Sequence, residues 1–183
     1  ETLKPWYRVM CKRPTFNDEF LPCFNQDNVT LVDVSDSKGV NRITPRGVVA
    51  NGTEYEVDLI VYATGFDAVT GAFDGIDFVG TDGQRLRDCW RDGPLTYLGL
   101  QVAGFPNMFM LAGPQSASLS TNFPRGIETV VDWASGLFEH AVQHGIHRIE
   151  PTPEAQAEWT AHVKEMYQGL LLRKAKSWFT GYN

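Results

Sequence analysis

Apolar residues fall in short dense runs over the first two thirds of the chain and in helical stripes over the last third. Residues 29–34 (VTLVDV) are rich in β-branched side chains and predict a strand. Residues 40–44 and 47–50 are short extended pieces, and Asn51-Gly52 is a strong hairpin turn signal before residues 54–57. Residues 58–63 (DLIVYA) run apolar without alternation, as in a strand covered on both faces, and end at Thr64-Gly65. A further short buried strand is expected over residues 109–112 (FMLA), closed by Gly113-Pro114.

The period then changes. Pro124 stands where a first helical turn accepts it. Ile127, Val130, Val131, Ala134, Leu137, Phe138, Ala141 and Val142 share one helical stripe that Gly145 ends. Thr152 is the expected N-cap of a second helix with Pro153 at its first position. Ala155, Trp159, Val163, Met166, Tyr167 and Leu170 form its stripe. Residues 67–100 read as Gly- and Asp-rich loops, and residues 1–27, with Pro5, Pro14 and Pro22, as an ordered connector. The class is α/β.

Composition narrows the partners. A net charge of −6 over 183 residues argues against nucleic acid or an anionic membrane. No apolar run reaches the roughly 18 residues of a membrane span, and no signal peptide opens the chain. Cys11, Cys23 and Cys89 are odd in number and lack a C-x-x-C spacing, so neither a disulfide framework nor a zinc site is suggested. A reducing cytoplasm fits best. The start at Glu1, without methionine, and the end just after a Trp-containing segment suggest a piece of something longer.

Several tempting groups carry little. His140, His144 and His147 cluster, but no Glu completes H-E-x-x-H, and a solvated helix edge accounts for them. The hydroxyls of Ser116, Ser118, Ser120 and Thr121 lack a G-x-S-x-G elbow. Neither G-x-G-x-x-G nor a P-loop occurs, so the main phosphate cradle of any nucleotide lies outside this sequence.

Three features remain, of which the last two resist bland readings. Lys12-Arg13-Pro14 places two cations on a stretch that proline keeps extended, so their side chains can serve different anionic groups. On its own such a pair reads as solvated charge. The run ending in Ala63-Thr64-Gly65-Phe66-Asp67 delivers small residues at a strand's carboxyl end, where doubly wound proteins hold cofactors. Residues 113–123 (GPQSASLSTNF) form a strand-to-helix loop whose helix N-terminus suits a carbonyl or an oxyanion.

In order along the chain, CKRP at 11–14, NVTLVDV at 28–34, YATGFDAVTGAF at 62–73, GPLTYLGL at 93–100, GFPNMFMLAGPQS at 104–116 and SWFTGYN at 177–183 resemble the Baeyer–Villiger monooxygenases. The likeness is to the C-terminal third of these flavoproteins. It implies two dinucleotide-binding domains. Residues 1–14 would be a connector, 15–66 the end of the NADP domain, and 67–183 the C-terminal part of the FAD domain. Thr64 and Gly65 would mark the crossing near the cofactor.

The resemblance further implies FAD and NADPH as cofactors, O2 and a small ketone as substrates, and an ester or lactone as product. Arg13 would be the catalytic guanidinium, staying charged beside the anions of oxygen transfer, and would touch the nicotinamide side of NADPH. Lys12 would hold the NADPH 2′-phosphate, and Trp178 would reach NADP from the C-terminal loop. Asn122 and Phe123 would contact FAD at the helix start, and Ser118, Leu119 and Ser120 would line the substrate pocket. No metal is implied. The missing N-terminal portion would be this chain's partner, and the chain alone would be inactive.

A related flavoprotein that oxygenates nitrogen or sulfur is the near alternative. A pyridine-nucleotide disulfide reductase needs a redox Cys pair that is absent here. A standalone binding module would have to leave large apolar faces exposed.

Overall fold

The hairpin turn signal at Asn51-Gly52 is the most literal piece of the sequence. In the computed structural model, which describes residues 2–5, 7–67, 69–116, 121–175 and 177, these two residues have φ of 50° and 80°. They join β2 (Gly47–Ala50) to β3 (Thr53–Glu56), with Ala50 opposite Thr53. Two successive positive φ values match the right-handed twist of the strands. β1 (Arg42–Thr44) pairs antiparallel with the other edge of β2, giving the order β1-β2-β3. The Thr44 hydroxyl accepts the Arg46 and Gly47 amides and fixes that second turn.

The helices are α1 (Phe20–Cys23), α2 (Gly71–Asp74), α3 (Leu86–Cys89), α4 (Phe123–Gln143) and α5 (Pro153–Gln168), with 3-10 turns at Thr81–Gly83 and Leu171–Lys174. Both long helices begin as the sequence predicts. The Asn122 side chain caps α4 by accepting the Arg125 amide at 3.2 Å, and Thr152 caps α5 by accepting the Ala155 amide at 3.2 Å. A proline occupies the first turn of each. Gly145 follows α4 with φ of 63°.

Contacts divide the chain into two units, Glu1–Pro5 with Thr15–Gly65, and Trp6–Pro14 with Phe66–Asn183. The first holds the hairpin sheet. The second holds a core of Leu86, Trp90, Val102, Phe105 and Met110, against which Phe73, Phe78, Cys89 and Met108 pack. Trp90 is anchored there by its indole N–H, which donates to the Leu95 carbonyl at 3.0 Å.

Three expected strands do not form. Residues 29–34, 58–63 and 109–112 pair with no ladder among the described residues. In the second run, Leu59 and Val61 are 78% and 76% exposed rather than buried. β-propensity describes fit to a pleated, covered surface, and it becomes a strand only when another segment supplies the hydrogen bonds. The stripe of α5 is also corrected: Met166 and Leu170 are exposed, and the polar Thr160 is buried in their place. On α4 only Ala134 and Ala141 are fully buried, while Val142 stands out in solvent. No described helix is long and apolar enough to cross a membrane.

Candidate active site

Cys11 fixes the segment that carries the two cations. It is fully buried, its amide donates to the Arg8 carbonyl at 3.1 Å, and its thiol donates to the Leu171 carbonyl at 3.5 Å. From this anchor, with Lys12 in a bend rather than on the extended stretch expected, Lys12 and Arg13 reach different groups. The Lys12 ammonium lies 5.1 Å from the centroid of the Tyr7 ring, within cation–π range. The Arg13 guanidinium donates from Nη2 to the Thr121 carbonyl at 2.7 Å. Both side chains are half-buried.

Thr121 directly precedes the cap of α4. The guanidinium is therefore held beside the N-terminus of a 21-residue helix, where the helix dipole adds to its positive potential. Arg125, one turn in, pairs with Glu128 at 2.8 Å on the surface, a contact worth little in solvent. Phe123 is 51% exposed at the helix start. The Asn122 side chain serves as the cap, and its carbonyl accepts the Gly126 amide at 2.9 Å.

The loop leading to this helix is held at its entry by contacts that sequence reasoning missed. The Gly113 amide donates to the Gly99 carbonyl at 3.0 Å. Thr96, fully buried, gives its hydroxyl to the Pro114 carbonyl (3.0 Å) and the Gln115 side-chain oxygen (2.9 Å). The Gln115 amide nitrogen donates to the Pro94 carbonyl at 3.0 Å and lies 3.5 Å from the hydroxyl of buried Thr160 on α5. Thr and Gln are surface residues by default, so no local signal marks them as a buried network.

Of the residues singled out from the sequence, the structure brings Arg13, Asn122 and Phe123 to one place, with Lys12 next in the chain. Thr64 and Gly65 are exposed at the end of the hairpin unit, Gly65 with φ of 85°. Ser118, Leu119, Ser120 and Trp178 lie outside the described residues. His140 and His144 stack with ring centroids 4.0 Å apart on an exposed helix edge. Among the described residues no group of three His, Cys, Asp or Glu could hold a metal.

No family model matches the chain. Curated relatives do. A Baeyer–Villiger monooxygenase of Streptomyces coelicolor is 46% identical over 90% of this chain and 28% of its own length. The cyclopentanone 1,2-monooxygenase of Comamonas sp. is 44% identical over 94% of this chain and 31% of its own length. A phenazine N-monooxygenase of Lysobacter antibioticus is 39% identical over 96% of this chain and 32% of its own length. Among solved structures, that of the OTEMO complex with FAD and NADP superposes with a TM-score of 0.82 at 39% identity, covering 92% of this chain and 31% of that one. The chain thus spans about a third of the length of the relatives it matches.

Proposed function

From the premise that the chain belongs to the Baeyer–Villiger monooxygenase family, spanning about a third of the length of the relatives it matches, we propose that it is the C-terminal portion of an NADPH- and FAD-dependent enzyme. That enzyme inserts one oxygen atom of O2 beside a ketone carbonyl to give an ester or lactone. The observation that carries this reading is the half-buried Arg13 guanidinium held beside the start of α4, on a chain with such relatives.

The donor set fits anionic groups. It comprises a guanidinium, an ammonium one residue away, and the positive dipole end of a long helix. FAD, reduced by NADPH, supplies the activation of O2 when bound. Lys12 would take the NADPH 2′-phosphate as a compact point charge. Arg13 would lie on the nicotinamide side and hold a permanent positive charge where oxygen transfer to a carbonyl develops a negative one. Asn122 and Phe123 would meet the flavin at the helix start. Ser118, Leu119 and Ser120 would line the ketone pocket, and Trp178 would reach NADP. In this reading residues 15–66 complete the NADP domain and 67–183 the FAD domain, with Thr64 and Gly65 at the crossing. The three cysteines are free thiols, which goes with a reducing, cytoplasmic setting.

The test is product analysis with the full-length enzyme, NADPH and a set of cyclic ketones. Lactone formation is the expected result, and oxidation of amines or sulfides with no lactone from any ketone would overturn it. The relative that acts as a phenazine N-monooxygenase supports nitrogen oxygenation as the second reading, and the same assay separates the two. A companion measurement concerns Lys12. Lys12→Ala is expected to cut the preference for NADPH over NADH, as a ratio of kcat/KM values, by about tenfold or more, since a charge-assisted phosphate contact is lost. An unchanged ratio would remove Lys12 from cofactor recognition.

A further inference from the structure

We propose that Asn122, besides its place at the flavin, is a positioning residue for Arg13, acting on the guanidinium through the helix cap. The inference rests on the reading of Arg13 as the oxygen-transfer cation. A trans peptide is planar, with its carbonyl and amide pointing opposite ways. The peptide unit between Thr121 and Asn122 is the one whose carbonyl accepts the Arg13 guanidinium. Its plane is set by the φ of Asn122, −60°, on a residue whose ψ of 119° is extended rather than helical.

What holds Asn122 in that conformation is its own side chain. The side-chain oxygen accepts the Arg125 amide at 3.2 Å while its backbone carbonyl accepts the Gly126 amide at 2.9 Å. Both bonds belong to an N-cap, and the side-chain bond is lost when the cap is truncated. Without it the first turn frays, the 121–122 peptide is free to rotate, and the carbonyl that fixes the guanidinium leaves its place. The same amide side chain thus starts the helix and aims the cation.

Two readouts test this on the full-length enzyme. In the first, Arg13 is modified with phenylglyoxal and the extent is followed by peptide mass spectrometry, which needs no turnover. Asn122→Ala should label about threefold faster or more, and amide exchange at Arg125 should rise about fivefold, as loss of a cap implies. Asn122→Asp and Asn122→Ser, which restore a capping oxygen, should return both to near the unaltered rates. In the second, NADPH consumption is partitioned between ester and hydrogen peroxide. Asn122→Ala should shift it toward peroxide, counted per molecule of bound FAD, and the Asp and Ser variants should shift it back.

Unaltered labelling of Arg13 in Asn122→Ala would overturn the proposal. So would failure of both capping variants to restore it, because a contact that needs the amide itself is not replaced by a carboxylate or a hydroxyl. If the unaltered enzyme makes no ester at all, the ketone reading fails, and the labelling comparison still decides the role of Asn122.

Discussion

Arg13→Ala should lower ester formation by the full-length enzyme at least about a hundredfold, the usual loss when one preorganised donor to a developing oxyanion is removed. Anaerobic reduction by NADPH should change far less. The split follows from where the charge is needed: a guanidinium stabilises negative charge on oxygen, whereas hydride delivery moves no oxyanion past it. Arg13→Lys separates charge from geometry. Lysine keeps the positive charge, yet its single ammonium cannot reproduce a planar donor that bonds the Thr121 carbonyl at 2.7 Å and still offers further N–H groups. Partial recovery is therefore expected, with more peroxide per NADPH than the unaltered enzyme releases. Ester formation at the unaltered rate by Arg13→Ala would remove the residue from the mechanism.

A large effect on stability is expected at Gly99, where the segment after Thr96 lies against the loop that leads to α4. Its φ is 69°, and a Cβ built there would sit 2.3 Å from the Ser116 Cβ, 2.8 Å from its Oγ and 3.0 Å from its amide nitrogen. The left-handed conformation costs about 1–2 kcal/mol for a residue with a Cβ, and forcing atoms into a packed contact adds roughly 1–3 kcal/mol. Gly99→Val should thus lower the apparent Tm by about 5 °C or more. Gly99→Ala should do so less severely, and Ser116→Gly in the same chain should recover the part due to overlap but not the part due to φ. A Gly99→Ala protein that melts with the unaltered one would show that the two segments do not meet this closely.

What could be read from the sequence is local in origin. Asn51-Gly52 makes its turn because those two residues tolerate positive φ, and Thr152-Pro153 starts α5 because the cap and the missing N–H both act within one turn. The pair Lys12-Arg13 reaches different groups as expected, although Lys12 lies in a bend rather than on an extended stretch. What could not be read depends on distant segments. The run 58–63 has the composition of a covered strand, but coverage must come from other chain. Met166 matches the α5 period yet is exposed, and Leu170, meant for the same stripe, lies past the end of the helix. Thr96, Gln115 and Thr160 meet only because three separated stretches converge, and each alone looks like surface. The cap at Asn122 was visible only as a proline two residues later, and its link to Arg13 not at all.

That link joins residues 108 apart in sequence. Closing a loop of that length costs about 4 kcal/mol in chain entropy, whereas a charge-assisted hydrogen bond returns roughly 1.5–3 kcal/mol net. The contact with Thr121 cannot gather the chain by itself, so the place of Arg13 depends on other burial, that of Cys11 at the Leu171 carbonyl included. A substitution that loosens the Cys11 anchor would therefore displace the Arg13 guanidinium without touching it.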